Sequence, residues 1–298
     1  MDSHALDSHL KAGRVARDAL GFAKKEIREG MPAIDLARKV DGFIRSRGAG
    51  FAFPVNISHN VDAAHYTPKE GDGVVFRRGD LVKIDLGAEF DGFVSDTAST
   101  VEVATTQWSR LIGAVDLAVE RAVALARPGT KVSVISETIH DTISSFGFNP
   151  VENLTGHHLK QYSLHAGGNI PNVRGSGQGV LHEGDAVAIE PFATPGRGHV
   201  ESSRPGNIFR VLENSRDPGD TALRAALEEL RSRFNTLPFA ERWCDGSFDG
   251  APKTLATLVR KRSIMSYPVL TEVSAQVVSQ AEHSVIVSKD GPIVFTRD

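Results

Sequence analysis

The chain has 298 residues, enough to bury a sizeable core as one large domain or two small ones. Composition is ordinary (40% hydrophobic, 24% charged) and the formal net charge is −3, so no basic surplus favours nucleic acid as a main partner. The single cysteine, Cys244, excludes an intrachain disulfide framework and a cysteine-rich zinc site, so any metal must take His, Asp and Glu.

The opening stretch "MDSHALDSHLKAGRVARDAL" is polar and charged and lacks the apolar run of a signal peptide. No window approaches about 18 uninterrupted apolar residues. A soluble cytoplasmic protein with no membrane span is expected. Residues 4–29 and 32–47 place apolar side chains at helical spacing, with Gly30 and Pro32 as punctuation. A strand-and-loop region, "FAFPVNISHNVDAAHYTP", leads into the hairpin "KIDLGAEFDGFVSDTAST", residues 83–100. Residues 107–126 and 132–146 read as helices split by "RPGT", where Pro128 and Gly129 end one and Thr130 caps the next. From 149 to 191 the chain is irregular and rich in Gly and His, ending in the short apolar strand of "DAVAIEP". Residues 204–266 are strongly helical around loops at "NTLPF" and "CDGSFDGAP", and read as an insertion rather than a linker-joined domain. The chain then closes with "AEHSVIVSKDGPIVFT", two strands around a Lys-Asp-Gly turn.

The hairpin raises the chemical question, because aspartate is a poor strand residue and a buried carboxylate needs a counter-charge, donors or a metal. With Asp91–Gly92 as a two-residue turn, Phe90 pairs with Phe93, Gly87 with Asp96 and Asp85 with Ala98. Asp85 and Asp96 then share a face as diagonal neighbours, with Cβ atoms roughly 7–8 Å apart. Two unpaired carboxylates that close repel, which raises a pKa or recruits a cation. The alternative is the wet face of a half-buried sheet, since Lys83, Asp85, Gly87 and Glu89 are polar while Val82, Ile84, Leu86 and Ala88 are apolar. The hairpin alone leaves both open.

Company comes from "LTGHHLKQYSLHAG" with His157, His158 and His165, "AIEP" with Glu190, and "SQAEHSVIV" with Glu282 and His283. Acids at the ends of apolar strands must be paired or ligating if they point inward. Four carboxylates and an imidazole form the oxygen-rich set expected around two close divalent ions.

With these motifs in this order, the chain resembles the methionine aminopeptidases, specifically their type II, archaeal-like branch, over nearly its whole length. The resemblance implies the pita-bread fold: an α+β, pseudo-symmetric antiparallel sheet with covering helices, here a single catalytic domain 1–298. The helical insertion at 204–266, including "TLPFAERW", is what separates type II from type I members; the resemblance makes it a winged-helix-like subdomain. Carried over position by position, it makes Asp85, Asp96, His157, Glu190 and Glu282 the metal ligands. Asp85 is implied to bind one ion in bidentate fashion, Asp96 and Glu282 to bridge both, and His157 and Glu190 to complete the other. His65 and His165 match the family's two non-ligand histidines at the scissile bond, and Phe53, Leu164 and Tyr267 fall where the family lines its methionine pocket.

The implied reaction is metal-dependent hydrolysis of the first peptide bond of chains that begin with methionine. Hydroxide held between the two ions attacks and Glu190 shuttles the proton. Co, Mn, Fe and Zn all accept this ligand set. The implied partners are N-terminal methionine peptides and nascent chains, hence proximity to the ribosome, with no membrane, no specific nucleic acid and a monomeric state. His283 is expected to point away from the ligands as a structural histidine, His158 to be a loop or supporting residue, and His140, His182 and His199 to be structural or exposed. Cys244 is expected to be an inert small apolar residue. Two rivals stand beside this reading. One is a proline-directed aminopeptidase or prolidase of the same fold, but only about 50 residues precede "FAFPVN" where those relatives carry a large domain. The other is a non-catalytic pita-bread adaptor, against which the full set of ligand types argues.

Overall fold

The computed structural model describes residues 1–248 and 250–297; Asp249 of the "CDGSFDGAP" loop and Asp298, the last residue of the 1–298 span, lie outside the described residues. The chain is built from two similar halves. The first runs α1 (Ser3–Glu26), α2 (Ala33–Ser46), β1 (Gly50–His59), β2 (Asp62–Ala64), β3 (Leu81–Phe90), β4 (Phe93–Val94) and β5 (Thr97–Glu102). The second runs α3 (Ser109–Val123), α4 (Val132–Ser145), β6 (Asn149–Pro150), β7 (Thr155–His158), β8 (Ile170–Pro171), β9 (Ala186–Ile189) and β10 (Phe192–Thr194). A long strand, β11 (Val200–Val211), leads through α5 (Thr221–Phe234), β12 (Phe239–Ala240), a 3₁₀ turn (Glu241–Trp243) and α6 (Ala251–Arg260) to its partner β13 (Ile264–Glu272). Strands β14 (Ser279–Gln280), β15 (His283–Ile286) and β16 (Ile293–Val294) close the chain.

Each half packs a helix pair on one face of its sheet. Ala16, Ala19, Leu36 and Val40 of α1 and α2 meet Ile57, Val82, Ile84 and Leu86 of β1 and β3 in one core. Val115, Val119, Ile135 and Ile139 of α3 and α4 meet Val187, Ile189 and Val285 of β9 and β15 in the other. Helix α1 starts where the Asp2 carboxylate accepts from the Ala5 amide at 2.8 Å, so a side chain satisfies an otherwise orphaned donor. Between α3 and α4, Gly129 supplies the positive φ of the break. Thr130 does not cap α4: the capping position is Lys131, with no side-chain bond to the helix.

The insertion is narrower than the helical span 204–266. Residues 204–211 and 264–266 belong to the β11–β13 ladder, where Ile208 faces Tyr267 and Arg210 faces Met265. The polar run Glu201–Arg204 in β11 is exposed, so the alternation that marks a half-buried strand is missing there. Among the described residues, no helix is long and apolar enough to cross a membrane.

Candidate metal centre and active site

The opening hairpin forms with the register that its turn dictates. Asp91 and Gly92 both take positive φ, Phe90 faces Phe93 and Asp85 faces Ala98. The same register holds on both sides of the gap at Ser95–Asp96, with Glu89 opposite Val94 and Leu86 opposite Thr97, which sets Gly87 opposite Asp96. A Cβ on Gly87 would lie 2.2 Å from the Ser95 carbonyl oxygen and 2.7 Å from the Phe53 ring, so only glycine allows the two strands this approach. The hairpin face is not wet. Lys83 is fully buried, its ammonium donating to the Asn60 and Val278 carbonyls, and burial lowers its pKa to about 7.

The two halves meet edge to edge along β5. Ala98 exchanges backbone bonds with Glu282, Thr97 donates to the Glu282 carbonyl, and Thr100 bonds both ways with Gln280. Asp96 and Ser284 exchange a second reciprocal pair. These ties put Asp85 and Asp96 of the first half beside Glu282 of the second. From β7 and β9 come the remaining groups: His157 Nε2 lies 3.6 Å from Asp96 Oδ2 and 3.7 Å from Glu190 Oε1. Ligand atoms of Asp96, His157 and Glu282 all fall within 4.8 Å of one another, and all three residues are buried.

Burial governs the charge states. It pushes Asp85 up to about 7, against the pull of hydrogen bonds from Gln280, Asp96 and Asn56. Asp96, Glu190 and Glu282 are driven well above the usual carboxylate range by burial and then by one another's charge. The imidazole of His157 is lowered to about 4 by burial, which keeps it neutral with a lone pair to offer. Asp85 Oδ1, Asp96 Oδ1 and Glu282 Oε1 are buried and accept no hydrogen bond. Buried oxygens of this kind are rare unless something else satisfies them. Converging carboxylates, orphaned oxygens and a neutral imidazole together fit divalent cations.

All ten residues singled out in the sequence line one cavity of about 200 Å³. Phe53, Leu164 and Tyr267 are buried in its wall. His65 sits at φ 66°, an uncommon backbone conformation for a non-glycine residue, with Nδ1 3.2 Å from the Pro268 carbonyl and its ring edge-on to Tyr267. The loop after β7 folds back through the Lys160–Ser163 bridge and sets the His165 ring 4.5 Å from that of His157. Burial lowers His65 to about 4 and His165 well below its ordinary value, with His157, His65 and then Arg210 adding to the latter.

The site also draws on residues that the sequence reading missed. Asn56 faces Asp85 across β1 and donates to it at 3.4 Å. Gln280, two residues before Glu282, donates to that carboxylate at 3.3 Å. Asn153 and Thr155, just ahead of His157 in the chain, also line the cavity. The signal for the first two was positional: each lies opposite, or two residues from, an acid already under suspicion. Outside the cavity, His283 contacts Thr296 and Glu120, and His182 and His199 pair with Asp185 and Glu152. Cys244 is buried, and burial pushes its thiol up to about 12.

Residues 7–211 match the model of metallopeptidase family M24. The methionine aminopeptidase of Methanothermobacter thermautotrophicus is 41% identical over 296 residues, covering 98% of this chain and 99% of that protein. Among solved structures, a thermophilic Arx1 superposes with a TM-score of 0.87 at 19% identity, covering 99% of this chain and 91% of that one. The methionine aminopeptidase of Thermotoga maritima superposes with a TM-score of 0.73 at 22% identity, covering 100% and 98%.

Proposed function

The chain belongs to metallopeptidase family M24 and removes the N-terminal methionine of peptides; on that premise we propose that Asp85, Asp96, His157, Glu190 and Glu282 hold two divalent metal ions at the reacting bond. The observation that carries this assignment is the convergence of five donor residues, three of them buried and three with orphaned oxygens, on one cavity. Bound there, such ions supply a Lewis acid for the scissile carbonyl and an activated water for the attack. Mn, Fe, Co and Zn are all compatible with the set.

The protein's own groups then have separable tasks. Glu190, 3.7 Å from His157 in the donor cluster, takes a proton from the attacking water as its ionised carboxylate and delivers it to the leaving amine nitrogen. Neutral His65 and His165 face the same space and donate N–H groups to the carbonyl oxygen as negative charge develops on it. Phe53, Leu164 and Tyr267 wall an apolar slot for an unbranched thioether side chain.

Residues 1–298 serve as one catalytic domain, with the helices between β11 and β13 as an insertion that buttresses the His65 loop. We read the substrates as nascent chains near the ribosome and the enzyme as a cytoplasmic monomer; the lone cysteine and the absence of a basic surplus support the compartment and the lack of a nucleic-acid partner. The test compares Met-Ala-Ser with N-acetyl-Met-Ala-Ser and Ala-Pro-Ser in the presence of Mn²⁺. Methionine release from the first alone is expected. Cleavage of Ala-Pro-Ser in preference would replace this reading with a proline-directed one.

A further inference from the structure

One charged side chain beside the cavity has no task in this scheme. Arg210 lies on β11 two residues beyond Ile208, and the regular pairing of Ile208 with Tyr267 and Arg210 with Met265 puts both rungs on the same face. Ile208 and Tyr267 line the cavity, whereas Phe209 and Val211 turn the other way into the core of the insertion. Arg210 therefore continues that face one rung beyond Ile208, where the side chain is partly exposed to solvent. Its guanidinium is poorly served there. Nε is buried without an acceptor, and the contact recorded for Nη2 is the Met265 sulfur at 3.5 Å, a weak acceptor. No carboxylate among the described residues lies within ion-pair distance of it, although the side chain is half-exposed. Its charge is nevertheless felt at His165 and Tyr267 inside the cavity.

A planar fork with free donors is the side chain best suited to bind a carboxylate. The interior takes the amine and the first residue, so the part of a substrate that reaches the rim is the chain after the scissile bond. We propose that Arg210 forms a carboxylate-binding subsite at the rim of the cavity, engaging an acidic group of the substrate downstream of the bond that is cut. This deepens the methionine-removing reading and rests on it. Two sources share the chemistry: an Asp or Glu side chain early in the substrate, or the free C-terminus of a short peptide.

Three peptides separate the sources when given to the Mn²⁺-loaded full chain: Met-Ala-Ala-amide, Met-Ala-Ala with a free C-terminus, and Met-Ala-Asp-amide. The readout is the ratio of kcat/KM between each anionic peptide and the neutral one, so that a general loss of active protein cancels. At low salt at least one anionic peptide is expected to exceed the neutral one by about three- to fivefold, the scale of a part-exposed ion pair. Whichever peptide shows the gain identifies the source. Arg210→Met should bring that ratio to about one, and Arg210→Lys should keep part of it. In the wild type the gain should also collapse in about 0.5 M NaCl, a test that needs no variant. An anionic preference that survives both Arg210→Met and high salt, or no preference in the wild type, would overturn the subsite. Failure of the wild type to release methionine from the neutral peptide would instead fell the parent reading, and the subsite with it.

Discussion

The insertion is bolted to the active-site loop by a buried ion pair whose removal has a calculable effect. Asp41 on α2 accepts from Arg242 Nε at 3.2 Å, from Nη2 at 3.1 Å and from the Trp243 indole at 2.7 Å. Arg242 Nη1 also donates to Thr67 Oγ1 at 2.6 Å and to the Pro68 carbonyl at 3.2 Å, just after His65 in the chain. The side chains of Arg242 and Asp41 are only 3% and 10% exposed. Asp41→Ala therefore strands a guanidinium and an indole N–H in the interior, at about 3–5 kcal/mol. That is a large part of a typical total of about 5–15 kcal/mol. At about 2–4 °C per kcal/mol for a chain of this size class, the melting temperature should fall by about 6–20 °C. Removing both partners, in Asp41→Ala/Arg242→Met, deletes the stranded charge as well. The two single losses should then exceed the double by about 2–3 kcal/mol. Urea unfolding followed by tryptophan fluorescence gives all three values. Because the same guanidinium fixes the loop that holds His65, kcat should fall in Arg242→Met even at temperatures where the variant is fully folded. Additive single and double losses, or an Asp41→Ala cost below about 1 kcal/mol, would refute the clamp.

Three other outcomes follow from the site. Glu190→Gln should keep the fold, read by circular dichroism, and lower methionine release by at least about 100-fold, because a proton carrier and a ligand charge go together; near-wild-type turnover would contradict the assigned role. Burial holds Asp85 near 7 and its neighbours higher, so below neutrality the metal-free cavity carries protons that an entering ion must displace. Affinity for Mn²⁺ should therefore weaken as the pH falls from about 8 to 6, with protons released on binding; calorimetry in buffers of different ionisation enthalpy measures both, and a pH-independent affinity would exclude the mechanism. Gly87→Ala sets a methyl group 2.2 Å from the Ser95 carbonyl oxygen, so it should destabilise by about 1–3 kcal/mol and displace Asp96, with activity lost beyond what unfolding explains.

How much was legible depended on whether a feature was local. The Asp85–Asp96 hairpin could be read residue by residue, because an Asp-Gly turn fixes the register and the side-chain period of two fixes the face. Its burial could not, since that depends on β14 and β15, about 180 residues away, closing against β5. Lys83 shows the gap: it reads as a solvated strand residue, yet it is wholly enclosed because two backbone carbonyls accept from it. The loop that swings His165 over His157 has no periodicity, and its path is set by the Lys160–Ser163 bridge and a positive φ at Tyr162. Asn56 and Gln280 escaped because neutral amides carry no ligand signature, and they matter only through the acids that they orient. The ends of the insertion were misplaced for a related reason: β11 is exposed along its polar first half and carries no apolar alternation there.

The central claim is that this cavity removes methionine with the help of ions held by five converging side chains. Its most direct test is release of free methionine from Met-Ala-Ser by metal-stripped protein as Mn²⁺ is added back. No release before addition, and release that rises to saturation afterwards, is the predicted result. Undiminished release from the stripped protein, or none from folded protein with Mn²⁺, Co²⁺, Fe²⁺ or Zn²⁺, would contradict it.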